Sequence, residues 1–173
     1  FQGQIESGEV KVGDEIVTLP SNERAHIKSI LVGDKDSQSA FMGQPVTLQL
    51  DKEVDVSRGC VIASGNNLPI SKSFTATILW MDDEELTPGT DYLVKLGTKQ
   101  IPGILKNIQY KIDVNTGEFI PAGQLKKNEI AVCDLDLQEP VVIDEFKKHK
   151  TLGELILIDR ISNMTSACGV VED

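Results

Sequence analysis

What the sequence lacks narrows its reading first. It has only two histidines, His26 and His149, and three cysteines, Cys60, Cys133 and Cys168, at wide spacings with no CxxC pair. A zinc site takes four closely gathered ligands, so none is expected, and scattered thiols in odd number read as buried free cysteines in a reducing compartment. Aromatic residues are 5% of the chain, too few for a platform on which bases stack. No apolar run approaches the roughly 18 residues that span a bilayer. GxxxxGK followed by Ser or Thr is absent, as are GxGxxG, GxSxG and HExxH. These absences remove a phosphate-cradling loop, a dinucleotide turn, a nucleophile elbow and a zinc-protease helix. No catalytic, cofactor-binding or metal-ligating residue is therefore assigned.

What is present is ordinary for a globular chain. Of 173 residues, 40% are hydrophobic and 25% charged, enough to bury a core. Seventeen Lys and Arg face 27 Asp and Glu, a formal charge of -10 that repels phosphate backbones. Neither nucleic acid nor membrane is expected as a partner.

Local candidates each have a plainer reading. Asp34, Asp36 and Gln38 alternate like calcium ligands, but an EF-hand loop needs Gly and Glu where Ser39 and Pro45 stand. Asp113, Asn115 and Gly117 alternate too, with glycine at a ligand position; a turn is favoured in both cases. His26 shares strand parity with Arg24 and Lys28, which puts it on a solvent face. His149 lies in the basic run Lys147–Lys150, read as a solvated loop. Trp80 continues an apolar face and reads as core, with a docking patch alongside Met81 as the lesser reading. Asn163-Met164-Thr165 is a short sequon. The carboxylate runs Asp82–Glu85 and Glu172–Asp173 read as hydrated loops.

Short alternating segments bounded by Gly, Pro, Asn and Asp predict strands, with almost no helical period. Phe74, Ala76, Ile78 and Trp80 share one face, and Ala131, Cys133, Leu135 and Leu137 another. Leu155 to Ile158 is continuously apolar, as in a strand covered on both faces. Asp144 to Lys150 predicts at most one short helical turn. Ser64-Gly65-Asn66-Asn67-Leu68-Pro69 joins turn formers to a proline and reads as a linker. The expected fold is all-β, with two consecutive antiparallel barrels over 1–67 and 68–173. Phe1 to Ile5 reads as mid-fold sequence, so the first barrel's first strand is expected to be truncated and the chain to be part of a longer protein.

Several motifs carry a resemblance. Gly3-Gln4-Ile5-Glu6-Ser7-Gly8, Val10 to Glu15, Ala40 to Gln44 before Val46-Thr47-Leu48, and Val56 to Ile62 resemble the second domain of translational GTPases such as elongation factor Tu. Leu86 to Tyr92, Lys111 to Thr116, Leu125 to Ile130, Gly153 to Arg160 and Ser162 to Thr165 with Gly169 resemble the third domain of the GTPase subunits of bacterial sulfate adenylyltransferase. Glu154-Leu155, in place of a small-then-aromatic pair, and Ser166-Ala167-Cys168 depart from that pattern.

The resemblance implies domain II- and domain III-type barrels of a cytoplasmic protein that couples GTP hydrolysis to adenosine 5'-phosphosulfate synthesis from ATP and sulfate. It places GTP and Mg in an upstream domain and no cofactor in this chain. The implied partners are that GTPase domain in cis and the small sulfate adenylyltransferase subunit; some members carry a fused adenylyl-sulfate kinase. The barrels are then a non-catalytic arm that reads out the GTPase state. The loops Asp34–Ser39 and Leu86–Tyr92 are the expected contact surfaces. The competing reading is tRNA-contacting barrels of an elongation-factor-type GTPase, which charge and aromatic content oppose. A self-contained barrel enzyme is opposed by the lack of an acid, base and nucleophile cluster.

Overall fold

The computed structural model describes residues 1–64 and 68–172. The chain forms two compact units, Phe1–Leu68 and Pro69–Asp173. The linker expected over Ser64–Pro69 rests on Gly65, Asn66 and Asn67, which lie outside the described residues, as does Asp173 of the second acidic run.

Among its described residues the first unit has eight strands: β1 (Gln2–Gln4), β2 (Glu9–Lys11), β3 (Glu15–Leu19), β4 (Glu23–Val32), β5 (Lys35–Ser37), β6 (Ser39–Phe41), β7 (Pro45–Leu50) and β8 (Val61–Ala63). The main sheet runs β1-β7-β4-β3-β8 with β5 added on β4, while β2 and β6 pair separately. All pairings are antiparallel. Among the described residues β1 and β8 do not meet, so this unit is a half-barrel.

Period-2 alternation decides which side chains line its core. In β4, Ala25 and Ile27 point inward and Arg24, His26 and Lys28 outward. In β7, Val46, Leu48 and Leu50 are buried. With Ile16, Ile30 and Ala40 these form one cluster. The turn into β3 needs Gly13, whose φ of 96° is costly for any residue with a Cβ. Asp14 closes that turn by accepting from the Lys11 amide at 2.9 Å. The segment expected as a contact loop, Asp34–Ser39, is mostly strand: β5 returns on β4 and β6 begins at Ser39. Gly33 at φ 63° permits that tight return.

The second unit holds β9 (Ile70–Trp80), β10 (Asp91–Leu96), β11 (Lys99–Ile112), β12 (Phe119–Ile120), β13 (Ile130–Val142), the one-turn helix α1 (Lys150–Gly153), β14 (Glu154–Asp159) and β15 (Thr165–Val171). The order is β10-β14-β15-β9-β13-β11-β12, and β10 also pairs β11. Six antiparallel strands thus close on themselves, and a closed ring has no free edge.

The ring encloses Ala76, Ile78, Trp80, Tyr92, Val94, Leu105, Cys133, Leu135, Leu155 and Leu157. Trp80 is core, as its face predicts. It is 1% exposed, donates from Nε1 to the Glu84 carbonyl at 2.7 Å, and meets Tyr92 edge-on at 5.9 Å. Leu86 and Leu125, both fully buried, pair as an isolated bridge. The predicted double burial of Leu155–Ile158 does not hold: Leu155 and Leu157 enter the core, whereas Ile156 and Ile158 are only half-buried on the outer face. A barrel strand has one inner face, and here the outer face keeps apolar residues.

Candidate functional site

No site residue was assigned from sequence, so each group singled out there is placed first. His26 is exposed on β4, as its parity requires, with ring nitrogens 3.4 Å from Asp51 and 3.9 Å from Glu15. Asp51 also accepts from the His26 amide at 2.9 Å, and that bond is the main cause holding its carboxyl below the ordinary value. Asp113 caps a turn, accepting from the amides of Asn115 at 2.8 Å and Thr116 at 3.3 Å. Cys133 is buried, and burial pushes its thiol up to about 12. Cys60 and Cys168 are half-buried and free. Among the described residues no group of three or more His, Cys, Asp or Glu is placed to hold a metal ion.

His149 is not the freely solvated residue its basic neighbours suggested. Its Nδ1 lies 2.7 Å from Oδ2 of Asp144, which is 9% exposed. Burial alone would raise the Asp144 carboxyl. The His149 bond and the 2.8 Å bond from the Glu145 amide outweigh that and hold it below the ordinary value. Asp144 also donates its amide to the Leu152 carbonyl at 3.2 Å, and Phe146 donates to Val171 at 3.2 Å. The pair therefore pins the segment leading into α1 against the barrel, a structural task that only the folded chain brings together.

The outer face of β9, β13 and β11 carries a polar groove lined by Ser73, Thr75, Lys106, Asp134 and Asp136. Ser73 donates to Asp136, which Lys106 approaches at 3.3 Å. Thr75 and Gln109 both donate to Asp134, at 2.9 and 2.8 Å. These side chains satisfy one another. The Ser73 hydroxyl is the first cause keeping Asp136 below its ordinary value, so it stays charged and suits contact, not proton transfer.

One end of the ring gathers the expected contact loop and the acidic run. Leu86 and Tyr92 of Leu86–Tyr92 are buried, so that loop offers only its middle to solvent. Beside it the Ser166 hydroxyl donates to Asp82 at 2.9 Å, and Met81 donates its amide to the Ser166 carbonyl at 2.8 Å. Those bonds fix the start of the Asp82–Glu85 run against the start of β15. The turn from β14 to β15 projects Ile161, 95% exposed, and Met164, 68% exposed. In the sequence Met164 stands out only within a sequon and the Ser162 to Thr165 motif, and Ile161 in neither; an isoleucine amid Asp, Arg, Ser and Asn is the available signal.

An all-β half-barrel followed by a closed six-stranded ring, whose prepared features are surfaces, defines the paired-barrel class found in translation-factor GTPases. The chain belongs to the GTP-eEF1A C-terminal domain-like family, whose model matches residues 73–172. It is 40% identical over 171 residues to sulfate adenylyltransferase subunit 1 of Teredinibacter turnerae, covering 98% of this chain and 36% of that protein. It is likewise 40% identical over 174 residues to the bifunctional enzyme CysN/CysC of Rhodopirellula baltica, covering 100% of this chain and 27% of that protein. The chain thus spans about a third of the length of the curated relatives it matches. Among solved structures, Sup35 complexed with GDP superposes with a TM-score of 0.91 at 23% identity, covering 99% of this chain and 43% of that one. Elongation factor SelB from Methanococcus maripaludis gives 0.79 at 22% identity, covering 99% and 38%. Those two likenesses carry the fold alone.

Proposed function

We propose that this chain is the non-catalytic two-barrel arm of a sulfate adenylyltransferase subunit 1. In that reading a GTPase domain elsewhere in the protein hydrolyses GTP with Mg²⁺, and a smaller partner subunit forms adenosine 5'-phosphosulfate from ATP and sulfate. The observation that carries it is identity of about 40% across 98–100% of the chain with proteins of that name. No residue of this chain is assigned to GTP, Mg²⁺ or the adenylyl transfer. The chain lacks a phosphate-cradling motif, and its prepared surfaces suit contact. Its role is to relay the state of the GTPase domain by moving as a docked body. The reading places the protein in the cytoplasm; among the described residues no helix is long and apolar enough to cross a membrane.

A chimera tests this. The matching third of the Teredinibacter turnerae relative is replaced by this chain and combined with the small subunit. Pyrophosphate release from ATP and sulfate is then followed with and without GTP. Retained stimulation by GTP is expected. A chimera that assembles and hydrolyses GTP without stimulating adenylyl transfer would sink the reading.

A further inference from the structure

The tip between β14 and β15 combines three properties. It is apolar: Ile161 and Met164 stand in solvent, and fully burying one such side chain is worth about 1.5–3 kcal/mol, which folding leaves unused here. It is held in shape: Asp159 Oδ1 accepts from the amides of Ile161 at 2.8 Å and Ser162 at 2.9 Å. The Asn163 amide donates to the Asp159 carbonyl, and the Asp159 amide to the Met164 carbonyl, each at 2.9 Å. Asn163 accepts φ 59° to complete the turn. A tip already ordered loses little entropy on binding.

Its third property is a rim in which carboxylates outnumber cations. Ser166 holds Asp82 at the head of the Asp82–Glu85 run, and Asp91 and Asp159 begin and end the adjoining strands. Against these six carboxylates stand Lys127, 2.9 Å from Asp83, and Arg160, 4.0 Å from Asp91. The Tyr92 hydroxyl is pushed up to about 12 by burial first and raised further by Asp159, Asp82 and Glu84.

We propose that this tip is the docking point for the partner subunit, inserting Ile161 and Met164 into an apolar recess rimmed by lysine and arginine. The inference rests on the partner assignment above and specifies the surface that serves it. Central apolar anchors supply most of the affinity, while the carboxylate rim speeds encounter and makes binding salt-sensitive.

The test is a calorimetric titration of this chain with the purified small subunit of sulfate adenylyltransferase at 50 and 300 mM salt. The wild type is expected to bind more weakly at the higher salt. The double variant I161S/M164S is expected to lose about tenfold or more in affinity, with an unchanged thermal midpoint because both residues are exposed. E84K/E85K is expected to weaken binding and flatten the salt dependence. If the wild type binds and I161S/M164S binds equally well, the tip is not the docking point, while the partner assignment stands. If the wild type does not bind at all, the partner assignment fails and this inference with it.

Discussion

The half-barrel and the closed ring use the same alternating pattern to different ends. In the half-barrel, β1 and β8 are both edges of the main sheet, and its core cluster leans on half-buried Ile5, Val10, Val12 and Ile62. In the ring every strand has two neighbours, and Ile78, Leu105, Leu135 and Leu157 are essentially inaccessible. Closure removes edges and leaves fewer open amides, so the ring should be the slower to exchange. The lesson is that closed against open pairing separates the two units, alongside a larger buried cluster in the ring.

The largest expected effect breaks the ring's core. Leu157→Ala should cost about 2–5 kcal/mol, read as a fall in the urea midpoint of Trp80 fluorescence, since the sole tryptophan lies in the ring. Amide exchange sharpens the contrast, with β1 and β8 predicted to exchange fastest and β9 and β13 slowest. Equal protection of all four would erase it.

Two glycines test the units for different reasons. A Cβ on Gly153 would sit 2.5 Å from the Phe146 backbone, so Gly153→Ala should cost about 1–3 kcal/mol by overpacking. Gly13 has open space around it but φ 96°, so Gly13→Ala should cost about 1–2 kcal/mol through backbone strain alone. Thermal midpoints of the two variants check this.

A smaller effect is acid sensitivity of the ring. The Lys111 bond is the main cause lowering the Glu129 carboxyl, followed by the Lys126 amide. A folded value below the unfolded 4.5 means this stabilisation is complete above about pH 4.5 and is lost as pH falls through the folded value. Glu129→Gln should therefore flatten the urea midpoint between pH 5 and 3, where the wild type declines; parallel curves would refute the assignment. Least in energy, a thiol reagent at neutral pH should label half-buried Cys60 and spare Cys133 until the ring unfolds.

Strand parity was legible wherever one face is buried. The inner set of Phe74 to Trp80 and the outward His26 follow from period 2 alone. Sequence failed where pairing with an adjacent strand overrides residues that ordinarily form turns. β11 begins at Lys99 and runs through Pro102 and Gly103, which look like punctuation. There β11 pairs with β10, and the absent Gly103 side chain leaves room for Val94 and Leu137. Asp34–Ser39 read as a loop because its Asp, Ser and Gln are turn formers, yet hairpin pairing with β4 holds it extended. The surfaces were the least legible part. Leu86 and Tyr92 looked available and are buried, while Ile161, which no sequence motif singles out, is the most exposed large hydrophobic residue described.

The neighbours of β9 also set an order of assembly. β9 is made before every other strand of the ring, yet its flanks belong to β13 and β15, with Ala76 pairing Val171 on one side. As the chain leaves the ribosome, β9 must wait, unpaired along that flank, until β15 emerges. Such distant pairing is slow to form, because loop entropy is lost before contacts repay it. The same ring that has no edge when finished therefore passes through a stage in which its first strand is exposed, which is when a nascent chain has most to gain from a chaperone.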